Sequence, residues 1–370
     1  MELKTTDIPR AARTDDDRID LKTMGLADLE AFAETIGQPS YRGQQLFNWI
    51  YGKGVTDFGA MTNLSKELRR ALDENAIISR IDTKQLQEAS DRTIKGLFTL
   101  PSGREIEAVL IPDIDERGDA RRLTVCVSSE VGCAMGCHFC ATGLMGFKEN
   151  LSAGHIVDQV HVMNELAEEH FGRSITNIVY MGMGEPLLNY DNVLKSVDII
   201  THEKAFGLSP RRITVSTVGL ARRIRDLADD QARFNLAVSL HAPTNEKRSQ
   251  IMPVNESEKT SLPALKEAIQ YYADKTGRQV TYEYCMFKGL NDSEDDARRL
   301  AEITRWAPSK VNLIMYNPVE GIGGFERTPE DRLDRFIQTL VEEGVTVTVR
   351  RSRGQDIDAA CGQLAVNEDE

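Results

Sequence analysis

Apolar and polar positions change rhythm twice along the chain. From Leu21 to Asn75, apolar residues recur three and four apart in MGLADLEAFAETIG, YRGQQLFNWIYG and LSKELRRALDEN, and Gly or Asn closes each run. That spacing predicts a small helical domain. From Ile81 to Ile111 the period drops to two in TIKGLFTLPSGREIEAVLIP. Pro101-Ser102-Gly103 stands between the alternating runs and predicts the turn of a β-hairpin. Past Arg121 the rhythm changes again. Short β-branched runs at 123–127, 175–181, 212–217, 234–240, 279–287, 310–316 and 345–350 alternate with amphipathic helix patterns such as AGHIVDQVHVMNELAEEH and PEDRLDRFIQTLVEEG. Strand, helix, strand with buried strands predicts parallel pairing through crossover helices. The expected fold class is therefore α/β, a partial (β/α) barrel with an N-terminal helical domain and a connecting β-hairpin. The expected divisions are a flexible polar tail at 1–18, a helical domain at 19–78, the hairpin extension at 79–118, the core at 119–358 and a C-terminal segment at 359–370.

Composition narrows the class. At 41% hydrophobic and 28% charged residues, the 370-residue chain reads as an ordinary soluble globular protein. No apolar run approaches the roughly 20 residues a bilayer span needs, and MELKTTDIPRAARTDDDRID lacks the apolar centre of a secretory signal. A cytoplasmic protein without membrane attachment is expected. The net charge of −13 excludes a chain-wide nucleic-acid footprint. Attraction to phosphate then falls to local groups: Arg121-Arg122, Arg211-Arg212, Arg222-Arg223-Arg225 and Arg350-Arg351-Arg353. Each such group, taken alone, reads equally as solvated helix ends or ion pairs.

Cysteine placement brings in chemistry. Three of six cysteines, Cys133, Cys137 and Cys140, fall within eight residues of EVGCAMGCHFCATG, just past the first core strand. The C-terminal ends of barrel strands are where active sites form. Three thiolates in one loop suit a [4Fe–4S] cluster whose fourth iron stays open. The competing reading is a zinc loop with a fourth ligand elsewhere; His138, adjacent to Cys137, is poorly placed to be that ligand. MGMGEP at 181–186 ends the second strand, and its Glu185 can receive an ammonium group. Ser216, the SLHAP run with Ser239 and His241, and Asn317 put polar groups at three further strand ends. Any one of them could simply cap a helix, and a lone His such as His241 is more often structural. Cys126 lies inside the first core strand, and Cys285 in the fifth reads as a buried small hydrophobe. Cys361, in the small polar run RGQDIDAACGQL, suits an accessible loop thiol.

Together VCVSSEVGCAMGCHFCATG, VYMGMGEPLLNYDNV, RRITVSTVG, AVSLHAP, NLIMYNP and RGQDIDAACGQL resemble the RlmN family of radical S-adenosylmethionine RNA methyltransferases, over roughly residues 20–365. The resemblance implies a [4Fe–4S] cluster on Cys133, Cys137 and Cys140. It implies S-adenosylmethionine held by Gly184, Glu185, Ser216, Ser239, Leu240, His241 and Asn317. It implies methylation of adenine C2 at adenosine 2503 of 23S rRNA and adenosine 37 of tRNA, with two S-adenosylmethionine molecules per turnover. Cys361 would carry the methyl group as S-methylcysteine. Cys126 would resolve the protein–RNA adduct through a transient disulfide with Cys361, and Glu107 would accept the ring proton. From sequence alone Glu107 reads equally as a solvent-facing strand carboxylate. The helical domain, with Arg42, Lys53, Lys66, Arg69 and Arg70, would grip RNA. A reductant such as flavodoxin or ferredoxin and a monomeric state are also implied. The related Cfr group, which methylates adenine C8, shares most of these motifs. The rival outside catalysis is a zinc or iron–sulfur RNA-binding protein without turnover. A radical enzyme for a small molecule is disfavoured by the Cys126 and Cys361 pair.

Overall fold

The computed structural model describes residues 18–257 and 260–366; of the tail predicted at 1–18, all but Arg18 lies outside the described residues. Three helices, α1 (Leu26–Thr35), α2 (Tyr41–Phe47) and α3 (Lys66–Asn75), stand where the helical period places them. Ser65 caps α3, its hydroxyl accepting from the Leu68 N–H at 3.2 Å. Their apolar stripes, including Phe32, Leu46 and Leu72, join the same continuous core as the rest of the chain. A buried ion pair fixes this domain to the core: Lys22 Nζ lies 2.7 Å from Asp158 Oδ1, and both side chains are buried. The Tyr51 hydroxyl donates to the carbonyls of Lys22 and Met24, both at 2.8 Å.

The predicted hairpin is the pair β2 (Ile94–Thr99) and β3 (Glu105–Ile114), joined across Pro101-Ser102-Gly103. A third antiparallel strand, β1 (Asp82–Glu88), precedes them and pairs with β2. Its sequence, DTKQLQE, is polar and almost wholly exposed, so no alternation announces it. Backbone pairing with β2 makes it a strand, and its charges blunt an open sheet edge.

Seven parallel strands follow: β4 (Ala120–Val127), β5 (Asn177–Tyr180), β6 (Ile213–Thr217), β7 (Asn235–Ser239), β8 (Val280–Met286), β9 (Ser309–Met315) and β10 (Val347–Arg350). Each pairs in parallel with the next in chain order. Helices cross between them: α4 (Ala141–Met145) and α5 (Ala153–Phe171), then α6 (Tyr190–Thr201), α7 (Ala221–Asp229), α8 (Asn245–Ile251) and α9 (Leu262–Thr276), α10 (Glu294–Thr304), and α11 (Glu330–Glu342). Strand β3 runs antiparallel to β4, so extension and core form one ten-stranded sheet with β1 and β10 at its edges. Those edges do not pair with each other among the described residues, so the barrel is partial. Parallel order puts every strand's C-terminal end on one rim, and the site lies there. Among the described residues, no helix is long and apolar enough to cross a membrane.

Candidate active site

The loop after β4 carries the three clustered thiols. Cys133 and Cys137 are buried and Cys140 half-buried. Gly132 has φ +70°, and a Cβ there would strike the Gly146 carbonyl oxygen at 1.8 Å, so the turn that opens the loop requires glycine. The Cys133 N–H closes the loop by donating to that same carbonyl at 3.1 Å. His138 faces outward: its Nδ1 lies 2.9 Å from the Gln250 carbonyl and the side chain is exposed. Burial pushes the Cys133 and Cys137 thiols well up, and each is raised further by a neighbouring loop thiol. Arg248, wholly buried, sits close enough to Cys137 to pull the other way. Its guanidinium donates to Asn255 Oδ1 at 2.8 Å and to the Thr260 carbonyl at 3.0 Å, and also to the Val218 carbonyl. Nothing in the sequence marked this arginine.

Among the described residues, no three Cys, His, Asp or Glu side chains converge on the position of a single ion. The donor set fits a larger group. It consists of three soft thiols on one loop, with the nearby imidazole turned away, which matches a cubane held at three irons.

Beside the loop, the rim encloses a cleft that opens to solvent, about 720 Å³ with the solvent at its mouth counted. Gly184, Glu185, Ser216, Ser239 and His241 line it, as does Cys361. Ser216 Oγ and Ser239 Oγ stand 3.4 Å apart on adjacent strands. Gly184 has φ +102°, and a Cβ there would meet the Glu130 side chain at 2.6 Å. The Glu185 carboxylate is buried and accepts from the N–H groups of Leu187 at 3.0 Å and Val218 at 2.8 Å. Burial pushes its pKa up to about 7 despite those bonds. Behind it, Glu130 is also raised to about 7, by burial and by the charge of Glu185. Glu130 Oε2 accepts the Glu185 N–H at 2.8 Å, whereas Oε1 has no partner.

His241 is both structural and cleft-lining. Its backbone is left-handed at φ +55°. Its Nδ1 accepts the Cys285 N–H at 3.0 Å, so the ring proton sits on Nε2. Burial and the nearby Arg248 charge lower its pKa to about 3, which keeps the ring neutral. Two of the residues named by resemblance lie off the cleft. Leu240 buries its side chain in the core, and its N–H ties β7 to the Glu283 carbonyl at 3.0 Å. Asn317 lines a smaller adjoining cavity; its Nδ2 donates to the Cys361 carbonyl at 3.3 Å and its Oδ1 accepts from Gln355 at 2.8 Å. Cys285, read from sequence as packing, is buried in the apolar core and also borders the cleft wall.

Cys361 is exposed where it meets the cleft and enclosed by protein elsewhere. The Ala141 N–H donates to the Gly362 carbonyl at 2.8 Å, and the Thr142 hydroxyl to the Leu364 carbonyl at 2.6 Å. The late segment is thereby pinned to the end of the three-cysteine loop. Cys126 is buried, and burial pushes its thiol up to about 12. Arg350, at the end of β10, faces both thiols. Burial opposes its charge, but Cys361, Glu283 and Cys126 outweigh that and hold it protonated. In return it draws both thiols down. All six cysteines are free thiols.

Glu107 lies on β3 and is buried, not facing solvent. Burial raises its pKa, opposed chiefly by Lys95, whose Nζ is 2.9 Å from Oε1. The Ala365 N–H donates to its Oε2 at 3.0 Å, so the chain just beyond Cys361 covers it. It borders a second cavity together with Lys95 and Asp358.

The predicted RNA-gripping residues are partly committed inside the helical domain. Arg42 donates to the Asn63 carbonyl at 3.1 Å and Arg69 to that of Gly59. Arg70 reaches Glu74 at 3.9 Å, and Lys53 stacks 3.5 Å over the Trp49 ring.

Comparison with known proteins places this geometry in a family. The Ribosomal RNA large subunit methyltransferase N-terminal domain matches residues 19–78, and the Radical SAM superfamily matches residues 127–301. A protein of Salinibacter ruber described as a probable dual-specificity RNA methyltransferase RlmN is 72% identical over 352 residues, covering 95% of each chain. A Cytophaga hutchinsonii protein of the same description is 44% identical, covering 94% of this chain and 93% of its own. The crystal structure of a radical SAM methyltransferase from Sphaerobacter thermophilus superposes with TM-score 0.84 at 43% identity, covering 93% and 98% of the two chains. The soft three-thiol loop beside an open cleft is therefore that of a radical S-adenosylmethionine enzyme using a [4Fe–4S] cluster, and the chain belongs to the RlmN family of RNA methyltransferases.

Proposed function

We propose that this chain methylates C2 of adenosine 2503 in 23S rRNA and of adenosine 37 in tRNA, with Cys361 as the carrier of the methyl group. The observation that carries the reading is the pairing of Cys361 with Cys126 about the Arg350 guanidinium, on the rim that holds the three-cysteine loop.

Adenine C2 is electron-poor and does not attack a sulfonium methyl. When bound, the cluster and two S-adenosylmethionine molecules supply an electron, a hydrogen-abstracting radical and the methyl group. Gly184, Glu185, Ser216, Ser239 and His241, which line the cleft, would hold S-adenosylmethionine, with Glu185 receiving its ammonium. Cys361, as thiolate, would take the methyl from the first S-adenosylmethionine, whose sulfur–methyl bond breaks to release S-adenosylhomocysteine, and so become S-methylcysteine; Arg350 stabilises that thiolate against the cost of burial. After its S-methyl group has given one hydrogen atom to that radical, the S-methylene carbon forms a bond to C2 of the adenine, and the adduct radical would give up one electron to the acceptor that the oxidised cluster supplies. Glu107 accepts the C2 proton. Burial raises its pKa and so strengthens it as a proton acceptor, while Lys95 steadies the charged form beforehand. Cys126 then attacks the Cys361 sulfur. The carbon–sulfur bond breaks toward the base, the released carbon is protonated to a methyl group, and a Cys126–Cys361 disulfide remains for a reductant to open. A flavodoxin or ferredoxin supplies electrons, and the chain acts as a monomer. The target adenine reaches the cleft unpaired or flipped out of its stack.

The test is anaerobic reaction of the reconstituted holoenzyme with unmodified rRNA and tRNA, followed by digestion and mass analysis against 2-methyl- and 8-methyladenosine standards. 2-Methyladenosine is expected. 8-Methyladenosine would place the reaction with the Cfr chemistry, and no methylated base would overturn the reading.

A further inference from the structure

The four arginine groups of the sequence separate sharply in the fold. Arg121 pairs with Asp115 at 3.2 Å, and Arg122 reaches Asp113 at 3.8 Å. Arg223 pairs with Asp226 at 3.2 Å and lies over the Tyr190 ring, and Arg225 lies over that of Tyr271. Arg350 is occupied by Glu283 and the two thiols. Arg211, Arg212 and Arg222 are exposed and have no carboxylate partner among the described residues; Arg351 and Arg353 share that freedom and differ in lying beside Cys361. Among the described residues neither has a carboxylate within ion-pair reach, and both line the small cavity that opens on Cys361. Between them the Ser352 hydroxyl is buried and has no hydrogen-bond partner.

The segment is also held in place. The Gly354 N–H donates to Asp91 Oδ2 at 3.0 Å, and the Ser90 N–H to Asp356 Oδ2 at 2.9 Å. The turn between β1 and β2 thus clamps the chain just after the arginines and supplies a donor to Asp356, the carboxylate nearest to them in sequence. Two uncompensated guanidinium groups and an unsatisfied hydroxyl, preorganised beside a reactive thiol, form a receptor for a tetrahedral oxyanion. In a chain of net charge −13, such a feature concentrates anion attraction at one point of the rim.

We propose that Arg351, Ser352 and Arg353 bind the phosphodiester backbone next to the target adenine, and so fix the flipped base against Cys361. This rests on the RNA reaction proposed above. A backbone anchor at the thiol sets the register of the base in the cleft without reading its sequence. One such seat therefore serves two RNAs that share only an exposed adenine.

The experiment compares the reconstituted holoenzyme with its Arg351→Gln/Arg353→Gln and Arg351→Lys/Arg353→Lys forms, using a tRNA transcript bearing unmodified adenosine 37. Affinity is measured against salt, alongside KM and kcat for methylation. The Gln pair is expected to lower the log–log salt slope by about 1.4, two contacts at about 0.7 each for single-stranded backbone, and to raise KM more than it lowers kcat. The Lys pair is expected to keep the wild-type slope, because counterion release follows charge. A wild-type slope in the Gln pair, or a Lys pair that behaves like the Gln pair, overturns the phosphate site. If the Gln pair does not fold, exposed Arg351→Gln alone should lower the slope by about 0.7, and an unchanged slope again overturns the proposal. A wild-type enzyme that binds the transcript with the expected slope pattern but leaves it unmethylated overturns the reaction and not the site.

Discussion

Cys361→Ala leaves all three loop thiols in place and removes the one that faces the cleft from the C-terminal segment. The variant should keep the absorbance of its reconstituted cluster and lose RNA methylation by at least 1,000-fold, on the order seen when a covalent nucleophile is deleted. Cys126→Ala stops a later step, so a covalent protein–RNA species should accumulate and migrate as a shifted band on a denaturing gel. If that variant turned over normally, another group would be resolving the adduct. Glu130 offers a test that needs no substrate. Burial and Glu185 raise its folded pKa to about 7, above the ordinary value of about 4.3. The folded state then binds the extra proton between those values, so stability is greatest below the unfolded pKa and falls as pH rises through 7. Glu130→Gln keeps the shape and abolishes the charge. It should stabilise the apo protein by about 3–4 kcal/mol at pH 8 and by almost nothing at pH 4. Urea titrations at the two pH values would show it, and an equal effect at both would refute the assignment.

At the scale of elements, the contact between the helical domain and α5 rests on the Lys22–Asp158 pair. Both partners are buried, so removing one strands the other's charge. Lys22→Met should cost about 3–5 kcal/mol, and the loss should be recovered in part by adding Asp158→Asn. A loss below 1 kcal/mol would mean that water reaches the pair. The hairpin and its neighbours show how far periodicity reaches. Strands β2 and β3 announce themselves because one face is buried and the other is not. Strand β1 does not, because both of its faces meet solvent. The C-terminal segment is invisible to periodicity for a different reason. It has no regular period; its place is set by individual bonds from Ala141, Thr142 and Glu107 to Gly362, Leu364 and Ala365.

For the whole molecule, a single apolar core runs from Ile19 through the helical domain and the sheet to Leu364. Helical domain and core should therefore unfold together, in one calorimetric transition. Two transitions separated by 10 °C or more would show that the buried pair and shared core do not couple them. Removing the cluster with an oxidant and chelator should leave the far-ultraviolet circular dichroism unchanged. The loop's anchors, Gly146, Ile251 and Gly362, are backbone bonds that do not pass through the thiols.

By itself the sequence determined the order of the helices and of every core strand, though not the exposed strand β1, together with the partial-barrel α/β class, the three-cysteine loop and the polar strand ends. These follow from local period and from ligand spacing within one short segment, both of which are written consecutively along the chain. Only the tertiary structure decided which distant groups meet. It brought Arg350 to two thiols 235 residues apart in sequence, set Arg248 beside Cys137, laid Ala365 over Glu107, and set Arg351 and Arg353, without carboxylate partners, beside Cys361. Such contacts depend on sheet order and on which backbone carbonyls remain unsatisfied at the rim. Neither quantity has a period to read, because each is fixed only when strands far apart in the chain have taken their places side by side.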